Sequence, residues 1–221
     1  VIADSRPDLV GSAPVDAVYF PDSPRDHAML RAVTARGIPL VTNDVYVDAE
    51  QSISIRTGYD DAVRASLDLL EQTGAKRIAL LRDESQHPRD TIGETAYRTW
   101  SAVRGRDETV AVLDGEGHDV PRTVRALLDS GVDGIVSLSD SAPAVYLQLE
   151  ASALVLPRDV QLIAVCAGDC ALFARLGISR VCVHPEDAPA HMFAALATLA
   201  ASADPQVIDL PWHLTRGTTT R

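Results

Sequence analysis

The chain has 221 residues, of which 46% are hydrophobic and 23% charged, a composition typical of a folded globular protein. Its formal net charge is -11 at pH 7. Because a phosphate backbone attracts Lys and Arg, this balance argues against these residues binding nucleic acid.

Short apolar runs alternate with helical stretches along the chain. The predicted strands are Val15–Phe20, Ile38–Thr42, Ser52–Ile55, Lys76–Leu81, Thr109–Leu113, Gly134–Leu138, Gln161–Val165 and Val207–Leu210. The predicted helices are Arg25–Arg36, Asp60–Gln72, Thr91–Val103, Val120–Asp129, Ala142–Ser152 and Ala188–Ala201. Apolar strands that alternate with helices indicate parallel sheets covered on both faces. The sequence therefore predicts a doubly wound α/β fold, in which ligands bind at the carboxyl ends of the strands.

The motifs of common catalytic sites do not occur in the sequence: it has no glycine-rich nucleotide loop, no G-x-S-x-G elbow and no H-E-x-x-H. The polar run Asp114–Asp119 lacks the spacing of an EF-hand loop and is interpreted as a turn. Ser139–Ser141 could suggest a nucleophile, but no base is identifiable near it. We therefore predict no catalytic residue and no cofactor.

The cysteines and the first residues bear on the compartment. Cys166, Cys170 and Cys182 are an odd set without a regular framework, which fits a reducing cytoplasm. No His or Cys pair matches Cys166 and Cys170 at zinc-like spacing, so these residues are interpreted as thiols and no metal site is predicted. The chain shows neither a basic start followed by a long apolar run nor about 18 consecutive apolar residues, so we expect no secretion signal and no membrane span.

Six blocks in order along the chain follow a shared pattern. They are Ile38–Asp44 (IPLVTND), Asp60–Leu81, Val132–Val145 (VDGIVSLSDSAPAV), Leu156–Val165 (LPRDVQLIAV), Ile178–Pro185 (ISRVCVHP) and Leu210–Thr219 (LPWHLTRGTT). Together these blocks resemble the ligand-binding core of the LacI/GalR family of bacterial transcription regulators.

The resemblance implies two periplasmic-binding-protein-like lobes joined by three crossovers, near 55–58, 182–185 and 203–206. The first lobe would hold residues 1–57 and 184–203, shortened at its start, and the second 58–183 and 204–221. A sugar or related metabolite would bind in the cleft between them as effector. The resemblance further implies a cytoplasmic homodimer that reaches operator DNA only through an N-terminal helix-turn-helix head outside this sequence.

Two other functions stay open at this point. A periplasmic-type solute-binding protein of a transporter shares the two-lobe fold, although the closing Leu214–Thr219 (LTRGTT) favours the regulator. An α/β enzyme would need an acid and a base with perturbed pKa values in its cleft, and no such pair can be named from the sequence.

The predicted ligand-binding residues mostly follow strands: Asp22, Ser23, Asp44, Arg89, His118 and Asp140. Asp44 and Asp140 match the family's positions and carry acceptors for sugar hydroxyls. The alternatives are a turn cap for Asp44, an N-cap of the following helix for Asp140 and plain exposure for Arg89. The resemblance implies an effector-binding Arg where this chain has Gly93, and Arg89 is the candidate substitute.

Overall fold

The computed structural model describes residues 14–20, 27–44, 46–85, 87–114, 116–167, 170–183, 188–199 and 204–221. The strands in this part of the chain are β1 (Val18–Phe20), β2 (Leu40–Asn43), β3 (Ser52–Arg56), β4 (Ile78–Asp83), β5 (Val110–Leu113), β6 (Gly134–Ser137), β7 (Gln161–Ala167), β8 (Ser179–Val183), β9 (Gln206–Asp209) and β10 (Trp212–Thr215). The helices are α1 (His27–Ala35), α2 (Tyr59–Gln72), α3 (Pro88–Arg104), α4 (Val120–Asp129), α5 (Ala142–Glu150), α6 (Ala171–Arg175) and α7 (Ala188–Leu199).

The smaller of two compact units contains the described residues up to Thr57 and those from 188 to Leu210. Its sheet is parallel, in the order β1-β2-β3-β9. Successive strand residues point to opposite faces, so Leu40 packs with Val33 of α1, and Val41 packs with Ala195 of α7. Both faces of the sheet are therefore covered.

The larger unit contains Gly58–Val183 and Pro211–Arg221, and its sheet has the order β10-β8-β7-β6-β4-β5. Leu80 of β4 packs under α2 and α3, in the cluster that holds Tyr97 and Trp100. The neighbouring Ala79 and Leu81 belong to the opposite cluster, under α4 and α5. The doubly wound α/β fold predicted from the sequence is thus confirmed.

The larger unit differs from the sequence-based expectations in two respects. β10 runs antiparallel to β8, so this sheet is mixed and not wholly parallel. β8, β10 and the short α6 were not predicted as elements. β10 is half-exposed at the sheet edge, with side chains that alternate in burial, so the continuous apolar run of a buried parallel strand is missing there.

The third crossing between the units also lies later than expected. β9 pairs in parallel with β3, where Ile53 is opposite Gln206, so residues 206–209 belong to the smaller unit. The chain passes to the larger unit after Leu210, not near 203–206. β9 has only four residues with alternating burial, a pattern that does not reveal which sheet it joins.

Within the described residues, no helix is both long and apolar enough to cross a bilayer.

Candidate functional site

The larger sheet reverses its winding direction beside β4. The chain leaves β4 through α3 to β5 on one side, then returns through α4 to β6 on the other side of β4. The carboxyl ends of β4 and β6 therefore open into a crevice at a topological switch point, which is where open α/β sheets bind ligands. Asp83 ends β4 at this crevice, and Ser139 and Asp140 follow β6.

A group of charged and hydroxyl side chains meets at this point. We call it the switch-point cluster, and it consists of Asp83, Ser85, Arg89, Asp90, Ser139 and Asp140. Arg89 is at its centre, only 9% exposed, and joins the two strand ends. Its Nη1 donates to Asp140 Oδ1 at 2.8 Å, and its Nη2 donates to Asp83 Oδ2 at 3.4 Å.

The local sequence explains how Arg89 reaches this position. Pro88 is the first residue of α3, where its missing N–H costs nothing and its fixed φ suits a helix. His87 caps the helix, because its Nδ1 accepts a hydrogen bond from the Arg89 backbone N at 3.1 Å. Arg89 therefore lies in a capped first turn of α3, close to the carboxyl ends of the strands, where its side chain reaches Asp83 and Asp140.

Asp83 also links the ends of β4 and β6 to the start of α5. Its Oδ1 accepts a hydrogen bond from Ser139 Oγ at 2.5 Å, and Ser139 Oγ in turn accepts one from the Ser141 backbone N at 2.9 Å. A movement of either strand end would therefore also displace the start of α3 and the start of α5.

Asp90 is fully buried beside Arg89 and accepts a hydrogen bond from Ser85 Oγ. Burial raises the pKa of its carboxyl, against the hydrogen bond from Ser85 and the charge of Arg89, which lower it. Asp90 Oδ1 and Arg89 Nε are both buried and 4.0 Å apart, and neither has a hydrogen-bond partner among the described residues. Buried polar groups of this kind are ordinarily satisfied by a ligand or a water molecule.

The cluster combines the two kinds of group that recognise a polyhydroxylated molecule. Arg89 supplies planar N–H donors, and the carboxylates supply acceptors. The Asp140 side chain remains 77% exposed even though it pairs with Arg89, so acceptor positions on its carboxylate face solvent. The arrangement fits binding of a small polar ligand.

Arg89 and Asp140, two of the predicted ligand-binding residues, are therefore brought together. The alternatives for them do not hold: Arg89 is buried, and the N-cap of α5 is Ser141, not Asp140. Their role in ligand binding itself stays a prediction.

Gly93 occupies the place where the resemblance implied an arginine. It lies four residues after Arg89, hence on the same face of α3. A Cβ atom there would lie 2.5 Å from Leu138 Cδ1 and 3.4 Å from Val63 Cγ2. A side chain at 93 would therefore require Leu138 to shift, and Arg89 lies on the same face of the helix one turn earlier.

Asp44 belongs to the smaller unit, where its carboxylate makes internal bonds. It follows β2 with a φ of 54°, a left-handed conformation that Asp tolerates better than most residues. Its carboxylate accepts hydrogen bonds from the Thr57 backbone N at 2.8 Å and from Thr57 Oγ1 at 2.8 and 2.7 Å. It therefore ties the end of β2 to the residue after β3, which is the turn-cap alternative, while ligand binding by Asp44 stays a prediction.

The remaining predicted residues lie apart from the cluster or outside the described chain. His118 is exposed in the loop between β5 and α4, where its Nδ1 lies 3.2 Å from Glu116 Oε2 and 3.7 Å from Asp114 Oδ2 of that same loop. Asp22 and Ser23 lie outside the described residues.

Sequence reasoning missed Asp83, Ser85, Asp90 and Ser139. Asp83 carried a usable signal, because a strand extended by two residues beyond Leu81 would have ended on it, at the edge where ligands bind. Asp90 carried none, since an Asp in the first turn of a helix is ordinarily a favourable partner of the helix dipole.

No protein-family model matches the chain, and no curated protein sequence matches it. Solved structures do match. The LacI transcriptional regulator from Bacillus cereus subsp. cytotoxis has a TM-score of 0.80 at 15% identity over 97% of this chain and 79% of its own. A LacI family regulator from Enterococcus faecium with bound ribose gives 0.74 at 17% identity, over 99% of this chain and 83% of its own.

A periplasmic binding protein/LacI transcriptional regulator from Alkaliphilus metalliredigens, complexed with D-xylulofuranose, gives 0.69 at 14% identity, over 99% of this chain and 82% of its own. Many further matching structures are LacI-family regulators. The chain has the periplasmic-binding-protein-like α/β fold that these regulators share, so the resemblance drawn from its sequence is confirmed as a likeness of fold.

Proposed function

We propose that this chain is the effector-binding and dimerisation core of a LacI/GalR-type transcription regulator, and that it binds a sugar or a related metabolite without turning it over. The observation that carries the proposal is the position of Arg89. It is buried at the topological switch point, between the carboxylate that ends β4 and the carboxylate that follows β6, and it is bonded to both. Similar structures hold ribose and xylulofuranose, which supports this ligand class.

The switch-point cluster suggests how such a ligand is held. Sugar hydroxyls both donate and accept, so one hydroxyl can donate to the exposed Asp140 carboxylate while a neighbour accepts from the Arg89 guanidinium. A hydroxyl or an ordered water near Arg89 Nε and Asp90 Oδ1 would satisfy two buried groups at once.

The same cluster provides a route from ligand to regulation. Arg89 is in the first turn of α3, and Ser139 Oγ accepts a hydrogen bond from the backbone N of Ser141, the N-cap of α5. A ligand that prefers one arrangement of these helices shifts the population of that arrangement. In the proposed cytoplasmic homodimer, a helix-turn-helix head would transmit this shift to operator DNA.

The first experiment is a thermal-shift screen of the chain against sugars, sugar phosphates, nucleosides and purines. A true ligand at about 100 times its Kd stabilises the chain by about 2.7 kcal/mol. Calorimetry then compares Asp140→Asn with Asp129→Asn, which removes the same charge from an exposed position at the end of α4. We expect about 10-fold or greater loss of affinity for Asp140→Asn, from one lost charged hydrogen bond, and none for Asp129→Asn.

Two results contradict the proposal. One is a ligand whose affinity is equal in the two variants, because the switch-point cluster is then not the site. The other is chemical conversion of the ligand by the chain, which indicates an enzyme. Dimerisation is tested separately by sedimentation at increasing protein concentration, where a persistent monomer counts against that part.

A further inference from the structure

The three cysteines meet on one face of the larger sheet. Cys166 of β7 is opposite Cys182 of β8 in the parallel register, with their Sγ atoms 3.4 Å apart. Cys170, at the start of α6, places its Sγ 2.6 Å from that of Cys166. All three sulfur atoms lie within 4.8 Å of one another. They pack on the side of the sheet covered by α4 and α5, with Cys166 and Cys182 buried and Cys170 half-buried.

This triangle has nearly the size that a metal ion requires. A zinc–thiolate bond is about 2.3 Å long, so three thiolates around one ion lie about 3.8–4.0 Å apart. The Cys166–Cys182 distance of 3.4 Å already approaches this value, and the Cys170 sulfur needs to move outward by about 1 Å. The side-chain chemistry is also selective, because three soft sulfur donors favour Cu(I) and Zn(II) over hard oxygen-seeking ions.

We propose that Cys166, Cys170 and Cys182 form a binding site for a thiophilic d10 metal ion. The site is independent of the proposed ligand at the switch-point cluster. Its position is nonetheless near that cluster in the fold, because β7 is hydrogen-bonded to β6, and β6 leads directly to Ser139 and Asp140. An ion would add a rigid link between β7, β8 and the start of α6.

Metal uptake at this site is an exchange of protons for the ion. Burial raises the pKa of Cys170 to about 11 and, together with the neighbouring thiols, raises the pKa of Cys166 still further. The thiols of Cys166 and Cys170 are therefore protonated at neutral pH when no ion is bound. Three metal–sulfur bonds form as three S–H bonds break, the protons pass to solvent, and no electron is transferred.

The test uses the whole chain, fully reduced and free of oxygen, titrated with Zn(II) and separately with Cu(I). We expect one equivalent to bind, with new thiolate–metal absorption in the ultraviolet. All three thiols should then become resistant to a chromogenic thiol reagent. Cys170→Ser is the informative variant, because Cys170 is the least buried of the three and Ser preserves its size.

Cys170→Ser should weaken binding by more than about 100-fold, since losing only a hydrogen-bond partner of a metal ligand already costs about 10–100-fold. The matched control is Met192→Leu, which removes a sulfur atom from the smaller unit and should bind normally. Circular dichroism of the two variants separates lost binding from lost folding. Equal affinity of Cys170→Ser and the unaltered chain overturns the proposal. So does a fully reduced chain that takes up neither ion.

Discussion

Two of the three ion pairs that Arg89 forms pose a clear physical question, because the shorter of the two is the more exposed one. Its bond to Asp140 is 2.8 Å long, but the Asp140 side chain is 77% exposed. Its bond to Asp83 is 3.4 Å long, and the Asp83 side chain is only 14% exposed. We predict that the longer, buried pair contributes more to stability, because solvent screening outweighs distance.

The magnitude follows from Coulomb's law. The attraction between Arg89 and Asp83 is about 5 kcal/mol at an effective dielectric constant of about 20, whereas that between Arg89 and Asp140 is about 1.5 kcal/mol in water-like surroundings. Desolvation of the buried groups reduces the net contribution of the Arg89–Asp83 pair, and the entropy lost in ordering the exposed side chain reduces that of the Arg89–Asp140 pair. We therefore expect coupling free energies of about 2–4 kcal/mol for Arg89 with Asp83 and below about 1 kcal/mol for Arg89 with Asp140.

The measurement is a pair of double-mutant cycles, in which Arg89→Met is combined with Asp83→Asn and, separately, with Asp140→Asn. Both tryptophans of the chain, Trp100 and Trp212, belong to the larger unit, so their fluorescence during urea unfolding reports the free energy of unfolding of that unit. Asn at position 83 can still accept the bond from Ser139, which limits secondary effects. A coupling with Asp140 that equals or exceeds the coupling with Asp83 would refute the reasoning.

Three further changes have defined outcomes. Gly93→Ala should lower the free energy of unfolding of the larger unit by about 1–2 kcal/mol in urea melts, because overpacking against Leu138 outweighs the gain in helix propensity; an unchanged or higher value contradicts this. Asp90→Asn should stabilise the chain at neutral pH, because burial raises the pKa of the Asp90 carboxyl in the folded state and so disfavours its ionised form. The gain in the free energy of unfolding should vanish in melts as the pH falls to about 3.8, the ordinary pKa of the carboxyl. A gain that does not depend on pH counts against this reasoning. Thr57→Val should lower the free energy of unfolding of the smaller unit by about 1–3 kcal/mol, because it removes the hydrogen bonds from the Thr57 hydroxyl to Asp44. Hydrogen exchange measures this change, and an unchanged free energy of unfolding contradicts the prediction.

The candidate site was only partly predictable because its members depend on strand register. Arg89 and Asp140 could be proposed from their places after strands, but their 2.8 Å contact joins residues 51 positions apart. Asp90 joins the cluster through burial, which no local pattern specifies. The contact of Cys182 with Cys166 is likewise invisible to the spacing of cysteines along the chain, because the parallel register of β7 and β8 brings these two residues together.

The sequence by itself determined the alternation of strands and helices. In continuous apolar runs such as Ile135–Val136 and Leu162–Val165, successive side chains point to opposite faces of the strand, so both faces of the sheet must be buried. This pattern can be read from a few neighbouring residues in the sequence. Only the tertiary structure decided which sheet received β9, that β10 runs antiparallel, and which polar side chains meet at the switch point. Those outcomes depend on pairings between distant segments, whose free energy comes from packing and hydrogen bonds that exist only once the sheets have formed.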